Sequence, residues 1–99
     1  MEMTKAYWVC AYHEVRDEEK LGAYAKLATK AIDEAGGRFL ARNMAADAYE
    51  AGILQRTVII EFPSLEAAEA CHDGSGYQDA LAVLGNAVTR DLRIVVGTD

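Results

Sequence analysis

Apolar residues recur along the chain at two different spacings, which predict four strands and two helical regions. Residues 5–13 are rich in Tyr, Trp and Val and predict a first strand. Residues 38–50 and 54–62 predict the second and third strands, joined by a turn at Ala51-Gly52. Residues 90–96 predict the fourth.

Helical spacing of apolar residues follows the first and third strands. The first helix is expected to begin behind an N-cap at Asp17 and to end at Gly36-Gly37. Its inward face would carry Leu21, Tyr24, Ala28, Ala31, Ile32 and Ala35. The second helical region is expected to begin behind Ser64 and to break at Gly74-Ser75-Gly76. The piece after the break would present Tyr77, Ala80, Leu81, Leu84 and Val88 on one stripe.

The resulting order, β-α-β-β-α-β, is typical of a ferredoxin-like α+β fold. Such a fold has a four-stranded antiparallel sheet with both helices on one face, and here the first and third strands are expected in the centre. We expect one domain over residues 1–99, because a chain of this length with 52% apolar residues suits a single core.

Both faces of the predicted central strands are apolar, although the helices cover only one. One side of the first strand carries Tyr7, Val9 and Ala11, and the other carries Trp8, Cys10 and Tyr12. A large contiguous apolar patch is rare on a monomer. We therefore expect a two-fold homodimer in which the sheet of a second copy covers the open face of the first.

Charge and cysteine content narrow the function classes. Ten basic and sixteen acidic residues give a net charge of -6, which argues against nucleic acid as a partner, because phosphate contacts need clustered Lys and Arg. The same balance disfavours an anionic membrane surface. The first residues lack a basic leader and a small-residue cleavage site, so we expect neither a signal peptide nor a membrane span. Cys10 and Cys71 are far apart in sequence, and we expect two reduced thiols in a cytoplasmic protein.

Four stretches carry a resemblance to a known family. They are KAYWVCAY at residues 5–12, GGRFLAR at 36–42, VIIEFPSLEAAEA at 58–70, and Tyr77-Gln78. In order and spacing they resemble the domain-of-unknown-function family 1330 over nearly the whole chain. The resemblance implies a dimeric α+β barrel, in which two ferredoxin-like sheets pack face to face, and it implies no particular reaction.

Families that share this fold include cofactor-free monooxygenases, haem-degrading enzymes, muconolactone isomerases and stress-response modules, so the fold alone assigns no chemistry. The chain also departs from its family in two places. It has Arg42-Asn43-Met44 where Arg-Gly-Gly is common, and residues 71–76 replace an aromatic pair followed by Ser-Pro-Glu. Both departures fall in regions that would shape a pocket.

The adjacent Cys71, His72 and Asp73 are residue types of nucleophilic catalysis. Neighbours on a helix point about 100° apart, so a Cys–His pair is not expected to form between them. We favour a helix end, with Cys71 facing the core and His72 near the C-terminal carbonyls. The two histidines, His13 and His72, are expected at opposite edges of the sheet, and a zinc site needs three or four ligands. We therefore expect no metal and no other cofactor.

Arg42 and Glu61 are charges inside otherwise apolar strands. If the turn at Ala51-Gly52 closes a two-residue hairpin, Arg42 faces Glu61, and an irregularity at Asn43-Met44 would shift that register. The pair is either a structural ion pair or a clamp for a carboxylate or enolate, with His13 on the same rim as a candidate for proton transfer.

Tyr24 lies on the inward face of the first helix, either as a core residue with a satisfied hydroxyl or as a donor to a ligand. Together with Arg42 and Glu61 it completes the candidate ligand-binding set, and His72 and His13 are the outside candidates for catalysis. Two functions remain open. The first is a homodimeric module that binds a small apolar or aromatic acid between sheet and helices. The second is a cofactor-independent isomerase or monooxygenase acting by proton transfer on an aromatic or lactone-like acid.

Overall fold

The computed structural model describes residues 4–98, in which four strands and three helices follow one another. They are β1 (Ala6–Val15), α1 (Glu18–Glu34), β2 (Arg38–Met44), β3 (Arg56–Phe62), α2 (Leu65–Asp73), α3 (Ser75–Leu84) and β4 (Val88–Val96). The strands form one antiparallel sheet in the order β2-β3-β1-β4. The predicted ferredoxin-like α+β fold is confirmed, with β1 and β3 in the centre.

Local capping chemistry sets the helix boundaries much as the sequence predicts. The Asp17 carboxylate accepts hydrogen bonds from the backbone N–H groups of Glu19 and Lys20, and α1 begins directly after it. The Ser64 hydroxyl accepts one from Ala67 and starts α2. The predicted break at Gly74 divides the second helical region into α2 and α3. The helix α3 ends at Leu84 with Gly85 as its C-cap, so Val88 belongs to β4 rather than to the helical stripe.

The core lies between the sheet and the helices. Alternate residues of β1 and β3 point into it and are almost fully buried: Ala6, Trp8, Cys10, Tyr12, Val58, Ile60 and Phe62. Trp8 packs under the helices, and its indole N–H donates to the Ala68 carbonyl oxygen at 3.2 Å.

The opposite sheet face carries Tyr7, Val9, Ala11 and Ile59, all half-buried, and no helix of residues 4–98 covers it. The two-sided apolar character predicted for the central strands is therefore present in the structure. None of the helices in residues 4–98 is long and apolar enough to cross a membrane.

The connection between β2 and β3 differs from the expected two-residue hairpin. The strand β2 ends at Met44, which pairs with Arg56, and residues 45–55 form the connection. Residues 45–48 are Ala and Asp, which are poor strand formers, and Glu50 has a left-handed φ of 54°. The irregularity predicted near Asn43-Met44 lies instead at Leu40, where the pairing shifts by one residue between Phe39 and Ala41.

Candidate functional site

A cavity lies between the helix-facing side of the sheet and α1. Its walls are apolar and aromatic side chains of β1, β3, α1 and α3, together with Arg42, Arg56 and Arg90. No Asp or Glu of residues 4–98 is among its lining residues. The cavity is partly open, and its volume of about 30 Å³ is enough for about two water molecules. The cavity is thus a narrow, cation-lined slot in an acidic protein.

Arg90 stands at the centre of a polar cluster at one end of the cavity. It pairs with Tyr12 across the β1–β4 ladder, and one guanidinium nitrogen donates to the Tyr12 hydroxyl at 2.9 Å and the Tyr24 hydroxyl at 3.2 Å. The same nitrogen lies 3.5 Å from the Cys10 sulfur. The other terminal nitrogen donates to the Tyr77 hydroxyl at 3.1 Å. We name Arg90, Tyr12, Tyr24, Tyr77 and Cys10 the Arg90 cluster.

The hydrogen-bond partners of the Arg90 cation are three phenols and a thiol, not a carboxylate. Arginine stays charged in proteins, whereas burial raises the pKa of Tyr12, Tyr24 and Tyr77 even though Arg90 acts in the opposite direction. Burial likewise raises the pKa of the Cys10 thiol. The cluster therefore holds one positive charge with neutral neighbours near pH 7.

Two of the three phenol protons are available to hydrogen-bond a ligand. The hydroxyl oxygens of Tyr24 and Tyr77 lie 2.6 Å apart, so one of these groups donates to the other. All three oxygens accept from Arg90, which leaves the Tyr12 proton and one proton of the Tyr24–Tyr77 pair without an assigned acceptor. A carboxylate bound here would meet a guanidinium and two neutral donors.

Two further arginines line the cavity on the side of β2 and β3. The Arg42 guanidinium donates to the Thr29 hydroxyl at 3.1 Å and lies 4.0 Å above the Phe39 ring, so it spans from β2 to α1. Arg56 places its guanidinium carbon 5.7 Å from the centre of the Tyr12 ring. Its Nε is buried and has no hydrogen-bond partner within residues 4–98.

The expected pair of Arg42 and Glu61 does not form. Arg42 pairs with Val58 and faces the helices, whereas Glu61 pairs with Arg38 and lies on the open sheet face. There the Glu61 carboxylate is 3.4 Å from the Lys5 ammonium. The prediction was wrong because the long connection and the irregularity at Leu40 set a different register.

His13 does not lie on the same rim as Glu61 either. The strands β1 and β3 are antiparallel, so Glu61 at the end of β3 pairs with Tyr7 near the start of β1. His13 sits at the other end of β1, with its Nε2 2.9 Å from the Asp91 carboxylate. It borders a second, larger concavity of about 270 Å³ on the open face of the sheet.

The Cys71, His72 and Asp73 triplet forms a helix end, as favoured from the sequence. Cys71 is buried with its thiol 3.9 Å from the Ala31 carbonyl oxygen, and burial raises its pKa to about 11. The His72 ring instead contacts its neighbour Asp73, at 3.0 Å. A buried thiol with a raised pKa and no histidine contact is a poor nucleophile.

His72 also packs against Trp8, with ring centres 6.0 Å apart. His13 lies five residues further along β1 than Trp8, which corresponds to about 17 Å of strand. The two histidines thus occupy opposite ends of the sheet, and residues 4–98 contain no group of three side chains placed to bind a metal ion.

Sequence reasoning placed two cavity residues, Arg42 and Tyr24, and missed Arg90, Arg56 and Tyr12. One signal was available for Arg90. It alternates with Leu92 and Ile94, so it occupies a helix-facing position of β4. A cation at a core-facing position of a strand is unusual, because a buried charge needs partners.

Fold and site together define a ferredoxin-like α+β protein with an arginine-lined cavity between sheet and helix. The chain belongs to the family "Domain of unknown function (DUF1330)", whose family model matches residues 5–98. A comparison with curated proteins gives no significant match.

Several solved structures share the fold. RPA0582, a protein of unknown function from Rhodopseudomonas palustris, aligns with a TM-score of 0.77 and 14% identity over 99% of this chain and 85% of that chain. SnoaB, a cofactor-independent oxygenase from Streptomyces nogalater, aligns with a TM-score of 0.62 and 13% identity over 97% and 95% of the two chains. A dimeric ferredoxin-like protein of unknown function from Thermobifida fusca gives 0.62 and 11% over 98% and 94%. At these identities the likeness concerns the fold.

Proposed function

We propose that this protein binds a small aromatic or similarly flat apolar acid in the cavity between the sheet and α1. The observation that carries the proposal is Arg90, a partly buried cation whose hydrogen-bond partners are three phenols and a thiol. Burying a charge without a counter-ion is unfavourable, so the site favours a bound anion. A carboxylate would supply the missing charge, and the aromatic walls would hold an apolar body.

Each cavity residue has a defined part in this proposal. Arg90 binds the carboxylate, and Tyr12 and one phenol of the Tyr24–Tyr77 pair donate hydrogen bonds to it. Arg42 lies across the gap between β2 and α1, where it contacts Thr29. A ligand larger than two waters requires that this contact opens. Glu61 lies on the opposite sheet face and has no part in the cavity.

The homodimer belongs to the same proposal. The open sheet face carries Val9, Ala11 and Ile59, and the β2–β3 connection exposes Ile53 and Leu54 beside it. A second copy of the same face would cover these residues about a two-fold axis. The Thermobifida fusca protein, described as dimeric, has the same fold.

A cofactor-independent isomerase or oxygenase is the second candidate. The converging donors of Arg90 and the phenols favour it, since they would stabilise a developing oxyanion, and SnoaB is a fold neighbour described as a cofactor-independent oxygenase. Proton abstraction near pH 7 needs a base with a matching pKa, and burial moves the phenol pKa values away from it. Neither His13 nor His72 lines the cavity. Binding is therefore the better supported function.

Trp8 provides the test, because it is the one tryptophan of the chain and lines the cavity. We expect benzoate to change its emission, excited at 295 nm, with saturation, and the neutral isostere benzamide to bind at least about tenfold more weakly. Arg90→Met should reduce benzoate affinity at least about tenfold, whereas Arg38→Gln on the open sheet face should leave it unchanged. Equal binding of benzoate and benzamide, or unchanged binding by Arg90→Met, would contradict the proposal. Oxygen uptake or an altered ligand recovered after incubation would favour the enzyme.

A further inference from the structure

Arg56 is the second cation of the cavity whose partners are incomplete. Its Nε is buried and has no hydrogen-bond partner within residues 4–98, although it lines the same cavity as Arg90. An unpaired buried donor is rare in folded proteins, because each such group loses its hydration without compensation. The Arg90 cluster does not satisfy it, since the hydrogen bonds of that cluster go to other atoms.

Arg56 and Arg90 belong to β3 and β4, the two strands that flank β1 and its Tyr12. Arg90 of β4 pairs with Tyr12 of β1. Arg56 of β3 is the neighbour of Thr57, which pairs with Ala11 of β1. The two guanidinium carbons lie 5.3 Å and 5.7 Å from the centre of the Tyr12 ring. Two strand spacings, about 10 Å, separate the two backbones. The two cations therefore reach the same aromatic ring from different strands and offer two binding points beside it.

The charges along the cavity are unbalanced for a ligand with a single carboxylate. Arg56 and Arg90 are both partly buried, no acidic residue of the described chain lines the cavity, and Arg42 is exposed to solvent at the side of β2. One carboxylate would neutralise Arg90 and leave Arg56 buried with its Nε unpaired. Two carboxylates on one rigid body would neutralise both cations.

We propose that the ligand is a dicarboxylic acid, with one carboxylate on Arg90 and the second on Arg56, and with its apolar body over Tyr12. This inference rests on the function proposed above and specifies the ligand class of that site. A single phosphate or sulfate group fits the arrangement less well, because the two cations extend from backbones about 10 Å apart.

The test compares isophthalate with its monoamide and with benzoate, using the Trp8 emission of the full chain. The monoamide has the size of isophthalate and one charge fewer, so it separates charge from shape. We expect isophthalate to bind at least about tenfold more tightly than the monoamide, and the monoamide to bind about as well as benzoate. Terephthalate and phthalate then measure which separation of the two carboxylates fits best.

Arg56→Gln should lower the ratio of the isophthalate and monoamide affinities to near one. Arg56→Lys keeps the charge and should retain part of the preference, which also guards against a variant that does not fold. Arg38→Gln removes one positive charge from a side chain that is 73% exposed and does not line the cavity, and it should leave the ratio unchanged. Circular dichroism checks that each variant is folded.

The outcomes separate this inference from the proposed function. If isophthalate and its monoamide bind equally to the unmodified protein while benzoate binds through Arg90, the inference of a dicarboxylate ligand is wrong and the acid-binding function stands. If the ratio is unchanged in Arg56→Gln, the second carboxylate does not bind Arg56 and the inference is also wrong. If no acid binds, both proposals fail.

Discussion

The Tyr24 and Tyr77 hydroxyl oxygens lie 2.6 Å apart, and Arg90 donates to both, so α1, α3 and β4 meet at one polar point inside the core. Tyr77 is the acceptor for one terminal nitrogen of Arg90, whereas the other nitrogen also contacts Tyr12 and Cys10. The phenols are therefore unequal in what their loss leaves unpaired.

We expect Tyr77→Phe to lower the free energy of unfolding by about 1–3 kcal/mol, because a buried charged donor loses its acceptor. Tyr24→Phe should lower it by less, because the Arg90 nitrogen that donates to Tyr24 still has the Tyr12 hydroxyl as an acceptor. Urea denaturation with a common m-value measures both variants. A larger loss in Tyr24→Phe than in Tyr77→Phe would contradict this account of the cluster.

Removal of the Arg90 cation, unlike the loss of the Tyr77 hydroxyl, should not destabilise the protein. Arg90→Met replaces a partly buried charge that lacks a carboxylate by an apolar side chain, and such exchanges are often neutral or stabilising. We expect a change in the free energy of unfolding of less than about 1 kcal/mol or a gain, together with the loss of acid binding. A loss of 3 kcal/mol or more, on the order expected for breaking a satisfied buried network, would mean that Arg90 is a structural residue.

The helix caps, the strand register at Arg42 and the Arg90 cluster differ in how far the sequence predicts them. Asp17 and Ser64 were identified as caps because capping depends on neighbouring residues, and the element order followed from local spacing. The predicted partner of Arg42 was wrong because the register of β2 and β3 depends on the length of the 45–55 connection and on an irregularity at Leu40. That irregularity has no local signature in the sequence. The Arg90 cluster joins residues from four elements, so no single stretch of sequence contains it.

Two glycines offer a matched pair for the packing between α1 and the sheet. A Cβ added at Gly37 would lie 2.6 Å from Ile32 Cγ2 and 3.0 Å from the Phe62 ring, and both side chains are almost fully buried. We expect Gly37→Ala to lower the free energy of unfolding by about 1–3 kcal/mol through overpacking.

Gly22 is the control, because it lies inside α1 and a Cβ there meets no atom within 4 Å. Gly22→Ala should raise the free energy of unfolding by about 0.5–1 kcal/mol through helix propensity alone. Thermal unfolding of both variants measures the difference. A gain for Gly37→Ala as well would mean that the space at Gly37 is not limited by Ile32 and Phe62.

The thiol of Cys71 predicts how stability depends on pH. Burial raises its pKa from an ordinary 9.0 to about 11 in the folded protein. A raised folded pKa means that the unfolded chain loses its proton first, so this contribution is complete below pH 9 and falls as pH rises towards 11. We expect Cys71→Ala to show a shallower fall of the free energy of unfolding between pH 9 and 11 than the unmodified protein. Parallel curves over that range would place the thiol in contact with water.

The open sheet face supplies the test of the homodimer. Ile59 lies near its centre, paired with Val9 on one side and Ala41 on the other, so a charge there would be buried between two copies. In sedimentation equilibrium at micromolar concentration we expect the unmodified protein to have the mass of a dimer and Ile59→Lys that of a monomer. Val9→Lys serves as a second variant if Ile59→Lys does not fold. Leu27→Lys alters a 41% exposed apolar residue of α1, on the helical side, and should keep the dimer mass. A monomeric unmodified protein, or a dimeric Ile59→Lys, would contradict the proposed interface.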